Sequence, residues 1–261
     1  MKKKKLMLIT FLGMFILTAC DLEGPDTEPP AAPTGLMSIT GDEAVYLFWN
    51  ENTERDLAGY RVYRNYEPYG YFRLIAELAE PYYVDRDVEN GVTYYYAVSA
   101  FDVHGNESEL SEEDCFDTPR PEGWDMRIFE KDYYPQFSGY DLSEESPCSY
   151  DSQNADFYFD YNDADQEGYL VAVNYAEIQD MGYTESLDDI NWAPYDGWDP
   201  DGIVRVVPGH SYVIWTGDNH FAKIRVNVLR DNFIIFDWAY QIAEGNHELS
   251  IKIKSDLKER R

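Results

Sequence analysis

Residues 93–100 read TYYYAVSA, and this stretch decides the fold class of the chain. Its alternate positions carry Tyr94, Tyr96, Val98 and Ala100. An extended backbone turns alternate residues to the same face, so these side chains line one side of the segment. Aromatic and β-branched residues also favour strands. The period of two therefore predicts a β-strand with one buried face.

The same alternation occurs in the segments that precede this strand. Two further sets follow a period of two: Val45, Leu47 and Trp49, and then Tyr60 and Val62. Turn residues separate these segments from one another. Short alternating segments of this kind over residues 34–118 are typical of a β-sandwich.

The motifs of this region, taken together, resemble a fibronectin type III domain. They are APTGL at 32–36, VYLFW at 45–49, DLAGYRVYR at 56–64, TYYYAVSA at 93–100 and GNES at 105–108. The resemblance implies that Trp49 is the core tryptophan. It also implies that Tyr94 forms a tyrosine corner, with its hydroxyl bonded to the backbone upstream. Because such domains serve as spacers, adaptors or binders, the fold assigns no function, and we interpret this one as a spacer.

The amino-terminal segment has the three parts of an export signal. Residues 2–5 are all lysine, and residues 6–17 form an apolar run too short to cross a bilayer about 30 Å thick. The sequence LTAC at 17–20 then resembles the lipobox of bacterial lipoprotein precursors. The resemblance implies that residues 1–19 are a signal peptide and that Cys20 carries diacylglycerol. The alternatives are an ordinary signal peptide with an incidental cysteine and a short membrane anchor.

The segment that follows the lipobox is acidic and rich in proline. Residues 20–33 read CDLEGPDTEPPAAP, which predicts an extended, solvated tether between the membrane and the first domain. We therefore expect the protein in the cell envelope, facing away from the cytoplasm. The sequence leaves the inner and outer membranes as open alternatives.

The formal net charge is −29 at pH 7, which limits the partners of the chain. A field of this sign repels nucleic acid and anionic lipid headgroups. We therefore exclude nucleic acid and expect a protein, a glycan or a small ligand. Apart from Cys20, the chain contains Cys115 and Cys148. In an oxidising compartment these two could form a disulfide, and the alternative is two separate buried thiols.

A second all-β domain is predicted after a linker at residues 119–125. Two alternating sets lie late in the chain: Ala222, Ile224, Val226 and Val228, and then Ile234, Phe236, Trp238 and Tyr240. The residues Arg230, Asp231 and Asn232 join them as a hairpin loop. We place this antiparallel β domain at 126–254, and a frayed basic tail at 255–261.

Part of the second domain resembles the HmuY-like lipoproteins. The similar segments are YVIWT at 212–216, AKIRV at 222–226 and FDWAYQ at 236–241. The resemblance implies an all-β fold, and founding members of that family bind haem through two histidines. The second domain contains His210, His220 and His247, none of which aligns with the ligands of that family, and His210 and His220 are the candidate haem or metal ligands. The alternative is that both are turn or strand-edge residues.

An acidic loop in the second domain resembles half of a calcium-binding loop. Oxygen ligands at alternate positions would come from Asp163, Asp165 and Glu167, followed by Gly168 at the sharp turn. An EF-hand requires a bidentate glutamate at the twelfth position, which is Asn174 here. The remaining alternatives are a calcium-binding hairpin loop and a solvated turn.

The least regular stretch of the second domain, residues 180–202, is a candidate ligand surface. It carries Trp192, Tyr195 and Trp198 among several aspartates. Aromatic faces beside carboxylates can stack on sugar rings and accept their hydroxyl protons, or can bind a cationic ligand. The alternative is that the three aromatic rings cover the sheet while the acids face water.

The sequence contains no recognisable catalytic motif. The patterns G-x-S-x-G and H-E-x-x-H and a phosphate-binding loop are all missing. We therefore predict a non-enzymatic binding or adhesion lipoprotein with no required cofactor. The alternatives are a protein that captures haem or metal, and an accessory protein that binds carbohydrate.

Overall fold

The computed structural model describes residues 26–113 and 115–250. The expected signal peptide, the lipidated Cys20 and the basic tail lie outside these residues. Within them the chain folds into antiparallel strands with two short 3-10 helices, Pro135–Phe137 and Leu187–Asp189. The predicted all-β fold class is confirmed. In the same residues, no helix is both long and apolar enough to span a bilayer.

The first domain is a fibronectin type III-like sandwich of two antiparallel sheets. Its described strands are β1 (Met37–Gly41), β2 (Ala44–Phe48), β3 (Leu57–Asn65), β4 (Arg73–Leu78), β5 (Tyr82–Asp85), β6 (Tyr94–Asp102) and β7 (Cys115–Asp117). One sheet has the order β1-β2-β5 and the other the order β4-β3-β6-β7. The alternating residues of β2, β3 and β6 point inward and form one core between the sheets.

The two residues that the resemblance implies are structural, Trp49 and Tyr94, lie in the core of the first domain. Trp49 is buried and packs edge-on against Tyr60, with the ring centroids 5.3 Å apart. The Tyr94 hydroxyl accepts a hydrogen bond of 2.9 Å from the backbone N–H of Glu89, five residues upstream. A buried hydroxyl therefore ties the start of β6 to the loop before it.

Residues 26–33 were expected to form a solvated tether, but they lie against the first domain. The backbone N–H of Ala31 donates to Glu54 Oε1 at 2.8 Å, and Asn52 Nδ2 donates to the Ala31 carbonyl at 2.9 Å. Pro30 is buried. The described part of the tether is therefore docked, because side chains of the domain satisfy its backbone polar groups.

The second domain is also built from two antiparallel sheets. Its described strands are β8 (Glu122–Phe129), β9 (Gly139–Asp141), β10 (Ser146–Cys148), β11 (Phe157–Asn162), β12 (Glu167–Ala172), β13 (Glu177–Tyr183), β14 (Ile203–Arg205), β15 (His210–Trp215), β16 (Phe221–Leu229) and β17 (Phe233–Gln241). The sheet orders are β10-β9-β11-β12-β14 and β13-β15-β16-β17-β8. The predicted hairpin is confirmed, because Ile224 of β16 pairs with Trp238 of β17. A large apolar core fills the space between the sheets.

A second tyrosine holds a loop of this domain in the same way as Tyr94. The Tyr212 hydroxyl accepts from the backbone N–H of Val207 at 2.8 Å and donates to the carbonyl of Arg205 at 2.9 Å. The Tyr212 side chain is fully buried. Both of its hydroxyl bonds tie the start of β15 to the chain that precedes it.

The segment predicted as a linker, residues 119–125, is structured. β8 begins inside it at Glu122, and Gly123 pairs with Trp238 of β17. The backbone N–H of Arg120 donates to the Gly41 carbonyl at 3.2 Å. The chain therefore passes from the first domain directly into an edge strand of the second. The composition of residues 119–125 does not predict this strand, because its pairing partner, β17, lies much later in the sequence.

The two cysteines within the described residues are unpaired. Cys115 is buried on β7 in the first domain, whereas Cys148 is half-buried on β10 in the second. Of the two alternatives that the sequence left open, the structure shows two separate thiols and does not contain the disulfide.

Candidate functional site

The irregular stretch predicted as a ligand surface folds over the outer face of the second domain's β13-β15-β16-β17-β8 sheet. Ile190 and Ala193 of this stretch pack with Phe221 and Leu249 in a small separate core. The segment after β17 supports it, because Leu249 N–H donates to the Asn191 carbonyl at 2.9 Å. This part of the stretch therefore covers the sheet with aliphatic residues.

A column of aromatic rings runs from this small core to the surface. Trp215 stacks on Phe221 with the ring centroids 5.6 Å apart, and Phe221 contacts His247 at 4.2 Å. The His247 ring in turn contacts Tyr195 at 4.3 Å and lies nearly parallel to Trp192 at 6.1 Å. The outermost rings are therefore supported from below by buried ones.

Trp192, Tyr195 and His247 form the outer end of the column, which we call the aromatic platform. The side chain of Trp192 is 48% exposed and that of Tyr195 is 74% exposed. Trp192 Nε1 donates to the Tyr195 hydroxyl at 3.3 Å, and His247 Nδ1 lies 3.0 Å from the Ala193 carbonyl oxygen. These bonds hold two exposed rings in a fixed relative position.

The third predicted aromatic residue has a different place. Trp198 is half-buried and packs against Trp215 and Phe221 in the small core, so it supports the surface from beneath. His247 belongs to the platform, yet the sequence analysis missed its role. It stands 54 residues from its bonding partner Ala193, and no local pattern connects the two.

The aspartates of the same stretch make different contacts. Asp189 accepts from the backbone N–H groups of Glu185 and Ser186 and caps the 3-10 helix Leu187–Asp189. Asp199 accepts from two backbone N–H groups in the turn before β14. Asp196 is exposed and follows Tyr195 directly. Asp196 is therefore an exposed carboxylate next in sequence to a platform residue.

The predicted calcium loop is the turn of the β11–β12 hairpin, and its carboxylates support that turn. Asp165 accepts from Asn162 Nδ2 at 2.9 Å and from the backbone N–H of Glu167 at 3.1 Å. The Glu167 carboxylate pairs with Arg205 at 2.8 Å. Among the described residues, the ligand atoms of Asp163, Asp165 and Glu167 do not form a convergent group. The geometry favours the alternative of a solvated turn.

A different set of ligand atoms converges in the first domain. One oxygen or nitrogen from each of Asp26, Asp56, Asp102 and His104 lies within 4.8 Å of the others. Asp102 also accepts from the backbone N–H groups of His104 and Asn106, so it caps the turn after β6. The sequence analysis interpreted His104 as a solvated loop residue, and half of its side chain is exposed. Proximity of acidic groups alone does not define a metal site.

The two candidate haem ligands lie at opposite ends of β15. His210 begins the strand and approaches the Asp180 carboxylate at 3.0 Å. His220 lies in the turn after the strand, 3.3 Å from Asp218. Two axial ligands must face one iron atom from opposite sides, and the length of β15 separates these imidazoles. The structure therefore does not bring the histidine pair together.

Comparison with known proteins connects part of the chain to enzymes of polysaccharide breakdown. No family model matches the sequence. An amylopullulanase of Thermoanaerobacterium saccharolyticum is 33% identical over 103 residues, which cover 39% of this chain and 8% of the enzyme. A chitinase of Paenibacillus xylanexedens is 37% identical over 89 residues, which cover 33% of this chain and 16% of the enzyme. The chain thus spans less than a fifth of either relative.

Two solved structures match this chain over most of their own length. A Fn3-like protein from Clostridium thermocellum is 29% identical and matches 36% of this chain and 98% of its own, with a TM-score of 0.31. A DUF4466 family protein from Parabacteroides merdae is 8% identical and matches 77% of this chain and 93% of its own, with a TM-score of 0.41. Matches of about 100 residues to the curated enzymes fit a fibronectin type III-like domain.

Proposed function

We propose that this protein is a non-catalytic accessory protein that binds carbohydrate and is held in the cell envelope by lipid on Cys20. The aromatic platform of the second domain is the glycan-binding surface, and the first domain is a spacer. One observation carries this proposal. Trp192 and Tyr195 are exposed, yet a hydrogen bond and a stacked histidine fix their rings.

The platform has the chemistry that a sugar chain requires. A sugar ring offers an apolar face of C–H groups and a rim of hydroxyls, and aromatic rings supply a flat surface for that face. The exposed carboxylate of Asp196, next in sequence to Tyr195, would accept hydrogen bonds from sugar hydroxyl groups. Because the rings are already ordered, binding does not incur the full entropy cost of immobilising them.

The curated relatives support the same class of ligand. The amylopullulanases and the chitinase act on polysaccharides by name, and their similarity to this chain covers a segment as long as one fibronectin type III-like domain. Domains of this fold are non-catalytic parts of such enzymes. We infer that the first domain plays an accessory role here too and that the second domain supplies the ligand contact.

Binding to polysaccharide tests the proposal directly. The full chain without its leader is run through native gels that contain pullulan or amylopectin, and is mixed with insoluble chitin. We expect retention on at least one polysaccharide, and a loss of about tenfold or more in affinity for Trp192→Ala and Tyr195→Ala. Tyr183→Ala is the matched control, since Tyr183 is 71% exposed in the same domain but lies outside the platform. Equal retention of Trp192→Ala and the unmodified protein would overturn the platform as the binding surface.

Lipid attachment is tested separately in cells. Labelling with an alkyne fatty acid is expected to mark the protein, and Cys20→Ser is expected to abolish the label and release the protein from membranes. Cys148→Ser serves as the control, because it removes a thiol that is not at the lipobox. Labelling of Cys20→Ser at the level of the unmodified protein would reject the lipoprotein assignment.

A further inference from the structure

A polar cavity opens at one end of the second domain, between its two sheets. Its volume is about 250 Å³. The walls come from the loops that flank β9, β11, β12, β15 and the end of β17. The lining residues include Ser143, Asn154, Asp156, Asn174, Asp218 and Tyr240. Amide, hydroxyl and carboxyl groups thus line one small space.

The pKa values of two carboxyl groups of this cavity are shifted in opposite directions. Burial raises the pKa of Asp156 to about 7, and the nearby carboxylates of Asp141 and Asp218 add to the rise. Burial acts on Asp218 as well, but hydrogen bonds from Thr216 and His220 outweigh it and lower the pKa of Asp218. Below neutral pH one group can donate a hydrogen bond while the other accepts. A sugar hydroxyl can accept a hydrogen bond from the protonated carboxyl group and donate one to the ionised carboxylate.

An unusual turn forms the rim of the cavity. Asn174 and Tyr175 both have positive φ angles, 51° and 70°, and Ala176 N–H closes the turn on the Val173 carbonyl at 2.9 Å. A left-handed conformation is disfavoured for a bulky residue such as tyrosine. The Tyr175 side chain is 96% exposed. An aromatic ring in a strained position that packs against nothing contributes little to the fold, which points to a role in binding.

The surrounding contacts fix this rim to both walls. Asn174 Nδ2 donates to the carbonyls of Ser152 and Ala155 at 2.9 and 2.8 Å. On the other side, a Cβ atom added to Gly217 would lie 2.4 Å from the Asn174 carbonyl oxygen and 3.4 Å from Tyr175 Cβ. The turn is therefore in direct contact with the Gly217 wall, and the Cβ atom of the exposed Tyr175 lies beside that wall, next to the lining residue Asn174.

We propose that this cavity is a second carbohydrate site, which holds one uncharged sugar residue against Tyr175. The proposal rests on the proposed function for its ligand class, but on a different set of residues. Two observations favour a sugar over a cation. The cavity is lined by amide and hydroxyl groups as well as carboxyl groups. Among the described residues, the ligand atoms that converge closely enough to hold a metal ion belong to Asp26, Asp56, Asp102 and His104, not to this cavity. The ionised Asp218 carboxylate would repel a sugar that carries a carboxylate.

Calorimetry and saturation-transfer NMR on the full chain without its leader test the proposal. The probes are maltopentaose and the pentamer of chitin, with trigalacturonate as the anionic comparison. The platform variant Trp192→Ala/Tyr195→Ala removes the first site. We expect this variant to retain binding of one neutral probe and to show no binding of trigalacturonate. Adding Tyr175→Ala, or Asp156→Asn, should then reduce the residual affinity by about fivefold or more.

The controls separate this proposal from the platform proposal. Tyr69→Ala is the matched control, since Tyr69 is 84% exposed in the first domain. If the platform variant binds no probe, or if its residual binding survives Tyr175→Ala and Asp156→Asn, the cavity proposal is overturned and the platform stands. If Tyr175→Ala alone abolishes binding and the platform variant binds normally, the cavity stands and the platform fails. Absence of binding by the unmodified protein overturns both.

Discussion

The guanidinium of Arg120 donates through Nε to the backbone carbonyl of Leu249 at 2.6 Å, across 129 residues of sequence. Both side chains are completely buried. Arg120 lies where the chain leaves the first domain, and Leu249 lies in the segment that supports the aromatic platform. The contact therefore links the junction between the domains to the base of the candidate site.

Other charges complete this buried junction. Arg120 Nη1 pairs with Glu122 at 2.8 Å, and its Nη2 approaches Asp188 at 3.8 Å. Lys223, which is also fully buried, lies 3.5 Å from the same Asp188 carboxylate. Charges removed from water require such partners, so Arg120 depends on carboxylates of the second domain at the point where the chain enters it.

Substitution of Arg120 is expected to destabilise the protein strongly. Arg120→Met keeps the length of the side chain but leaves Glu122 and Asp188 without their guanidinium, which should lower the free energy of unfolding by about 3–5 kcal/mol. Urea denaturation followed by tryptophan fluorescence measures the loss. Arg73→Met is the control, because that side chain is 68% exposed and its nearest carboxylate is 4.0 Å away. A change within about 0.5 kcal/mol for Arg120→Met would show that the junction adds nothing to stability.

The junction also predicts how stability depends on pH. Burial raises the pKa of Glu248 to about 8, and the Asp117 carboxylate adds to the rise. Because the pKa of Glu248 is higher in the folded than in the unfolded protein, the folded state binds the proton more tightly. The stabilisation is complete below pH 4.5, the ordinary value, and is lost as pH rises towards 8.

Glu248→Gln tests this dependence, because glutamine remains uncharged at every pH. The unmodified protein should lose more stability between pH 5 and pH 8 than the variant does, by about 2–4 kcal/mol. Urea midpoints at both pH values give the comparison. Glu244→Gln, a change outside the junction, should follow the unmodified protein. Parallel pH profiles for Glu248→Gln and the unmodified protein would contradict the predicted protonation.

The two tyrosine corners should differ in their energetic importance. The Tyr94 hydroxyl makes one backbone hydrogen bond, so Tyr94→Phe should lower the free energy of unfolding by about 1 kcal/mol. The Tyr212 hydroxyl makes two and is more deeply enclosed, so Tyr212→Phe should cost about 2–3 kcal/mol. Thermal melts of both variants are compared with Tyr69→Phe, whose exposed hydroxyl predicts no change. A larger loss at Tyr94 than at Tyr212 would refute this order.

These residues show what the sequence could and could not reveal. The role of Tyr94 was predictable because the motifs of residues 32–108 together resemble a fibronectin type III domain, which implies a tyrosine corner at this position; its hydroxyl partner is Glu89. Tyr212 makes similar bonds, but the loop before it has no motif by which to recognise them. Its role became visible only when Val207 and Arg205 were seen to contact its hydroxyl.

The candidate site was predictable only in part, for the same physical reason. Aromatic composition marked Trp192 and Tyr195, and both are exposed. Composition could not distinguish them from Trp198, because burial depends on which strands lie beneath the loop. It also could not find His247, which reaches the platform through the folding of a distant segment. A period of two in the sequence identifies individual strands, whereas the aromatic platform is formed by contacts between distant segments.

The thiols provide the last prediction. Burial raises the pKa of Cys115 to about 12 and that of Cys148 to about 11, so both remain protonated at neutral pH and react slowly. A chain without the leader and Cys20, purified without reductant, should show two free thiols per molecule when it is unfolded in guanidinium. In the folded protein, Cys148 should react with a thiol reagent faster than Cys115, because it is half-buried and Cys115 is buried. Cys115→Ser and Cys148→Ser, each with one thiol, assign the two rates. Finding no free thiol in the unfolded chain would establish a Cys115–Cys148 disulfide and reject the two separate thiols seen in the structure.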